Sequence, residues 1–202
     1  MPIALFRRAA QRRILIVDAH PDDDPSHFVH AIAARYGTAA TEAGHEVRNI
    51  VLARIDIPFL TSPDVWAHGE PPARLREAQD DMMWANHLVF VYPLWLGDMP
   101  ALLKAFLEQV FRPGFAFRHR EGAMPEPGLK GRSARIIVTM GMPALVYRGW
   151  FGAHSLRSFG RNILHFVGIR PVRYSVIGGV DAANRSAATH LRSIARLGRL
   201  AL

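Results

Sequence analysis

LVFVYPLWLGDMPALLKAFLEQVF, residues Leu88 to Phe111, holds a strand, a loop and a helix in succession. Its first five residues, Leu88-Val89-Phe90-Val91-Tyr92, show no polar alternation, the pattern of a parallel strand covered on both faces. Its second half reads as a helix. Pro100 suits a first helical turn, where a missing N–H costs nothing, and Leu102, Leu103, Phe106, Leu107 and Val110 then recur at three- and four-residue spacing. Between the two, Pro93-Leu94-Trp95-Leu96-Gly97-Asp98-Met99 carries more apolar bulk than a solvated connection needs, so these side chains are expected to cover something flat and apolar.

Outward from this unit, strands and helices alternate. Arg13 to Ala19 reads as a buried first strand that stops at His20-Pro21. Ser26 is expected to N-cap a helix marked by Phe28, Val29, Ile32, Ala33 and Tyr36, its hydroxyl accepting a free N–H of the first turn. Glu46 to Leu52 reads as a second strand, and residues 53–72 as a long, proline-punctuated, irregular segment. Ala73 to His87 reads as a helix with Leu75, Ala78, Met82 and Ala85 on one face. After a Gly/Pro-rich segment to Gly131 come a fourth strand, Ala134 to Thr139, a loop from Met140 to Trp150 and a helix from about His154 to Val167. A fifth strand, Val172 to Ile177, and a last helix, Ala183 to Leu197, complete the chain.

Strands that alternate with helices through right-handed crossovers predict an α/β, three-layer architecture. It is a five-stranded parallel sheet in the order 2-1-3-4-5 with helices on both faces. In that order the chain changes direction between strands one and three, and ligands occupy the crevice at their C-terminal ends. The expected walls are the loops His20 to Pro25, Pro93 to Met99 and Met140 to Trp150.

Composition narrows the function classes. With 202 residues, 50% of them hydrophobic, the chain can form one full core, so residues 13–202 are expected to be a single domain. Residues 1–12 form a basic, acid-free lead without the apolar length of a secretory signal, and read as a flexible extension. The absence of cysteine excludes disulfides, thiolate metal sites and a thiol nucleophile, and fits a cytoplasmic location. No apolar run approaches the roughly 18 residues of a membrane span. The formal net charge of +8 attracts phosphate-bearing partners, but no stripe of basic and aromatic residues marks a nucleic-acid face, so no nucleic-acid partner is expected.

The three loops carry different chemistry. Ser26 and His27 stand at a helix start, where free backbone N–H groups and the positive helix end can hold a phosphate. Asp22-Asp23-Asp24 beside them opposes this unless those carboxylates are otherwise engaged. Trp95 with Leu94 and Leu96 suits a planar heterocycle. The third loop offers Thr139, Tyr147, His154 and Gly141, which lets backbone come close to a ligand.

These residues also carry a family resemblance. His20-Pro21 followed by Ser26, Pro93-Leu94 followed by Pro100-Ala101-Leu102-Leu103-Lys104, Glu108-Gln109-Val110-Phe111, Gly114-Phe115-Ala116-Phe117 and Thr139-Met140-Gly141 occur in order between about Arg13 and Gly179. The chain resembles the flavodoxin-like NAD(P)H:quinone oxidoreductases, which include the DT-diaphorases and the ancillary reductases of potassium-efflux systems. The resemblance implies a bound flavin, FMN or FAD, in a homodimer whose site the partner subunit completes. It also implies a ping-pong cycle in which NAD(P)H reduces the flavin and a quinone or similar acceptor reoxidises it. By the match, His20, Ser26 and Phe28 would bind the flavin phosphate region, and Pro93, Leu94, Trp95 and Leu96 the ring. Thr139, Met140, Gly141 and Met142 would line its polar edge, and Tyr147 and His154 would be the catalytic pair that steadies charge on reduced flavin or a quinone oxygen. FMN is favoured over FAD because the chain is short and shows no obvious adenine shelf. The chain departs from the family pattern at Leu96, where the aromatic falls one place early, and at Met142-Pro143, where a second glycine is expected.

Two other classes compete. Ala19-His20-Pro21-Asp22-Asp23 is similar to the metal-binding opening of zinc-dependent deacetylases of N-acetylated sugars, but the distal histidine pair those enzymes use is missing. A non-enzymatic flavodoxin-like electron-transfer module shares the fold alone.

Overall fold

The computed structural model describes residues 10–180 and 187–202. The elements run β1 (Arg13–Asp18), α1 (Phe28–Glu42), β2 (Glu46–Val51), α2 (Pro63–His68), α3 (Ala73–Trp84), β3 (His87–Pro93) and α4 (Ala101–Val110). They continue with β4 (Phe117–Arg120), β5 (Ala123–Pro127), β6 (Ser133–Met140), α5 (Ala144–Gly149), α6 (His154–Arg157), β7 (Val172–Gly178) and α7 (Ala187–Leu200). Five strands form one parallel sheet in the order β2-β1-β3-β6-β7, the arrangement expected from the alternation of elements.

β3 sits at the centre and is buried at every position. Its side chains alternate between two cores, as the two-residue period of a strand requires. Leu88, Phe90 and Tyr92 meet Leu75 and Met82 of α3 and Leu103, Phe106 and Val110 of α4. Val89 and Val91 pack on the other face against Val29, Ile32 and Tyr36 of α1 and Ile194 of α7. A strand with a helix layer on either side has no polar position to spare, which is why its sequence reads as an uninterrupted apolar run. Each such side chain contributes roughly 1.5–3 kcal/mol by leaving water.

The same pairing brings the loops to one rim. Register places Asp18 beside Val91 and Pro93 beside Thr139, so β1, β3 and β6 end at nearly the same height. The ladder runs on past the strands: the Ala19 N–H donates to the Val91 carbonyl at 2.8 Å, and the Leu94 N–H to the Thr139 carbonyl at 2.7 Å. The loop after β6 lies directly on the end of β7. A Cβ on Gly178 would stand 2.3 Å from the Ala144 nitrogen and 2.6 Å from the Met142 oxygen, so only glycine lets that loop settle.

Local structure differs from expectation where polar contacts intervene. α1 begins at Phe28 with His27 as its N-cap, one residue after the expected cap, Ser26. The Asp24 carboxylate takes the Ser26 N–H at 2.9 Å and the Asp24 carbonyl takes the His27 N–H at 3.2 Å, which holds residues 24–27 in a turn. Residues 53–72 include α2, where the Ser62 hydroxyl accepts the Val65 N–H at 3.2 Å and Pro63 opens the first turn. The Gly/Pro-rich segment folds as an antiparallel β4-β5 hairpin outside the main sheet. The helix expected from His154 starts as α6 and continues as a π-helix, Ser158–Leu164. The expected start of the last helix, Ala183, lies outside the described residues.

Candidate functional site

A cleft of about 570 Å³ opens at the C-terminal ends of β1, β3 and β6, where the strand order reverses direction. The first loop contributes His20, Asp22, Ser26 and Phe28, the second Pro93, Leu94 and Trp95, and the third Thr139, Met140 and Gly141. All the expected cofactor-binding residues line it except Leu96 and Met142.

At one end the fifteen-residue α1 presents its N-terminus with no side-chain cap and no acidic residue in its first turn. Such an end carries orphan N–H donors and a positive partial charge. The neighbouring aspartates, which threatened to repel an anion, are each engaged. The Asp22 carboxylate accepts from the Asp24 N–H at 3.1 Å and lies 3.0 Å from His27 Nε2. Asp23 receives Arg54 Nε at 2.8 Å, and Asp24 holds the Ser26 N–H. The hydrogen bond from His27 holds the Asp22 carboxyl below the usual range, and the bond from the Ser26 N–H does the same for Asp24.

Three imidazoles gather behind this turn. The rings of His20 and His27 stack with centroids 3.8 Å apart, and His30 lies edge-on to His20 at 5.4 Å. His30 Nδ1 is 2.6 Å from the Asp18 carboxylate and Nε2 is 2.9 Å from the Asp22 carbonyl. Both partners are acceptors, so both ring nitrogens must donate and His30 is an imidazolium. Burial works against that charge, but the hydrogen bonds to Asp18 and to the Asp22 carbonyl outweigh it and raise the pKa. His20 is shifted down by burial, and its Nδ1 is held by the Asp22 backbone at 2.9 Å. A hydroxyl, a bare helix end and a cluster of imidazoles form a donor set that fits a phosphate group.

At the other end stands Trp95, half exposed, its ring 5.7 Å from that of His20 and perpendicular to it. A tight turn fixes it: Trp95 and Asp98 exchange two backbone hydrogen bonds of 2.9 Å, with Leu96 at φ 48° and Gly97 at φ 81°. Two successive positive φ values make this a type I′ turn. The turn aims Leu96 outward, where it is fully solvent-exposed, away from the ring contact expected of it. Met142 packs instead against the core under the sheet, because its carbonyl is tied to the Gly179 N–H at 3.1 Å.

The expected catalytic pair does not line the cleft. Tyr147 is buried on the inner side of α5 with its hydroxyl 2.5 Å from Ser155 Oγ, and His154 lines a separate pocket on α6. Conversely, Val29 and Val180 line the cleft with no role expected of them, and His27 and Asp22, noted in the reading of the first loop but not carried by the family match, line it as well. His27 had a signal in its place beside a helix start; Val180 arrives from beyond β7 and had none.

A larger groove, about 830 Å³, lies on the outer side of α4 between α2, the hairpin and the π-helix, lined by Trp66, Leu107, Phe117 and Phe166 among others. No strand of the main sheet ends in it, and it has no bare helix end for a phosphate. The zinc reading finds no third ligand: among the described residues, no group of three or more His, Asp or Glu side chains is placed to hold a metal ion.

The model of a family described as "Flavodoxin-like fold" matches residues 12–199. An "Uncharacterized NAD(P)H oxidoreductase" of Haemophilus influenzae is 28% identical over 170 residues, 82% of this chain and 83% of that one. "FMN-dependent NADH:quinone oxidoreductase 3" of Bacillus cereus is 28% identical over 193 residues, 84% and 88% of the two chains. Among solved structures, the NAD(P)H:quinone oxidoreductase from Methanothermobacter marburgensis superposes with a TM-score of 0.81 at 25% identity, covering 96% of this chain and all of its own.

Proposed function

The chain belongs to the flavodoxin-like fold family, and from its site and its likeness to named reductases we propose that it is an FMN-dependent NAD(P)H:quinone oxidoreductase. The observation that carries this reading is the cleft in which the bare end of α1 and the Trp95 turn face each other across the switch point. FMN, when bound, supplies the two-electron redox chemistry, accepting reducing equivalents from NAD(P)H and delivering them to a quinone or similar acceptor.

The protein's own contribution is binding, orientation and electrostatics. Ser26, the first-turn N–H groups of α1 and the His20-His27 stack hold the phosphate, while His30, as an imidazolium paired with Asp18, offsets the aspartates of the loop. Trp95, Pro93 and Leu94 cover one face of the ring and keep water from it. The backbone of Thr139, Met140 and Gly141 meets the ring's polar edge, with Gly141 allowing close approach. Neither Tyr147, held on Ser155, nor His154, on its separate pocket, lines the cleft, so neither has a part at the ring in this reading.

The same proposal takes residues 13–202 as one flavin-binding unit, the active form as a homodimer and the location as cytoplasmic. Support for the dimer is the family likeness together with the apolar groove of Trp66, Phe117 and Phe166, which a second copy would cover. No helix among the described residues is long and apolar enough to cross a membrane. The test is spectroscopic: purified protein should carry a flavin absorption band that bleaches on NADH or NADPH and returns with a quinone. Flavin that neither nicotinamide reduces would favour an electron-transfer module, and stoichiometric zinc without flavin would favour the deacetylase.

A further inference from the structure

Beyond the cleft, α6 and the π-helix that continues it carry a second pocket of about 500 Å³. His154, Arg157, Ser158 and Arg161 line it, spaced three and four residues apart, so one helical face presents two guanidiniums, an imidazole and a hydroxyl. Neither Arg157 nor Arg161 forms an ion pair within the described residues. Nor does nearby sequence neutralise them: from Pro127 to Val180 there is no aspartate or glutamate, while the segment carries Lys130 and seven arginines.

The residues leading into this face are aromatic and open. Trp150 is 86% exposed and Phe151 50% exposed, an arrangement that a merely solvated basic helix does not require. The π-helix is held in place by packing: Gly160 lies so close to Tyr174 of β7 that a Cβ there would overlap its hydroxyl at 1.8 Å. Helical turns of this rare type concentrate at functional sites. Only α5 and a few residues on either side of it separate Gly141, in the cleft, from His154.

We propose that this face binds the adenosine end of the dinucleotide reductant, with Arg157 and Arg161 on its 2′-phosphate and Trp150 and Phe151 under its adenine, and that the protein prefers NADPH to NADH. The proposal rests on the reading that the cleft at the ends of β1, β3 and β6 holds the flavin that NAD(P)H reduces. Guanidinium matches phosphate geometry with paired, charge-assisted hydrogen bonds, and an indole face stacks on a purine. The adenine shelf that the sequence did not reveal is here an exposed aromatic pair, Trp150 and Phe151, outside the cleft and a few residues along the chain from its third loop.

The test has a binding arm that does not depend on flavin. Calorimetric titration of the purified protein, its flavin content recorded separately, with 2′,5′-ADP, 5′-AMP and inorganic phosphate should give binding in that order, with 2′,5′-ADP at least about tenfold tighter than 5′-AMP. Trp150→Ala should weaken 2′,5′-ADP. In the kinetic arm, Arg157→Gln and Arg161→Gln should each lower kcat/KM for NADPH by about ten- to a hundredfold, leaving NADH within about twofold and flavin absorbance unchanged. Equal losses for both nucleotides, 5′-AMP as tight as 2′,5′-ADP, or inorganic phosphate as tight as either would overturn the proposal. So would a Trp150→Ala variant that changes only oligomeric state. Selective 2′,5′-ADP binding by protein that never takes up flavin would uphold this site while sinking the oxidoreductase reading.

Discussion

Replacing Leu96 with asparagine should stabilise the protein and leave its flavin in place. Leu96 holds a positive φ of 48° at the first central position of a type I′ turn, where asparagine is preferred and a leucine Cβ crowds the backbone. An L-residue in this region costs roughly 1–2 kcal/mol, and asparagine recovers about 1 kcal/mol of it because its short side chain can bond locally. No burial is lost in exchange, since the leucine side chain is fully exposed. For a chain of this size that gain corresponds to a rise in Tm of roughly 2–4 °C. Had Leu96 covered the isoalloxazine ring, as the family resemblance implies, the substitution would forfeit about 1.5–3 kcal/mol of apolar burial instead. FMN would then bind roughly ten- to a hundredfold more weakly. Thermal melting by circular dichroism, paired with FMN titration by fluorescence quenching, separates the two signs. A lower Tm, or a loss of FMN affinity beyond about threefold, would refute the assignment of the turn as a strained, outward-facing tip.

Two further outcomes are expected. His87 is buried with no hydrogen-bond partner at Nε2 among the described residues, and burial, followed by Arg12 and Arg135, pushes its pKa from 6.5 down to about 3. Since the unfolded chain then binds the proton first, the stability tied to neutral His87 is present above about pH 6.5 and drains away toward pH 3. Stability should fall by about 2 kcal/mol between pH 7 and pH 5 from this residue alone, and His87→Gln should flatten that slope in urea denaturation; an unchanged slope would place the proton elsewhere. In the cleft, Trp95→Ala should weaken FMN retention far more than Trp66→Ala, measured by dialysis and residual flavin absorbance, because Trp66 lines the separate groove against α4; equal losses would mean that the ring site is misplaced.

What could be read without coordinates was whatever depends on periodicity. β3 announced itself because a strand buried on both faces must be apolar throughout, and its central place fixed the order of the sheet and the rim of the cleft. Readings failed where a local polar contact decided the geometry. Ser26 looks like a helix cap, but the Asp24 carboxylate captures its N–H and moves the start of α1 to Phe28. The β4-β5 hairpin was hidden because Phe117-Arg118-His119-Arg120 is too polar, and the strand after it too proline-rich, to show alternation of apolar residues. The seven residues between β3 and α4 read as one apolar cover. Two of their backbone dihedrals, invisible in composition, send Trp95 to the cleft and Leu96 to solvent. Tyr147 was placed at the ring by likeness alone, and the hydrogen bond that draws it to Ser155 depends on a helix packing that no spacing rule encodes.

In the proposed enzyme, one phosphorylated, planar cofactor spans the cleft from the end of α1 to Trp95. A crystal structure of the protein reconstituted with FMN tests it most directly. The phosphate is expected on Ser26 and the first-turn N–H groups of α1, with the ring between Trp95 and the backbone at Gly141. Density for the ring in the groove of Trp66, Phe117 and Phe166, or a phosphate away from α1, would contradict it.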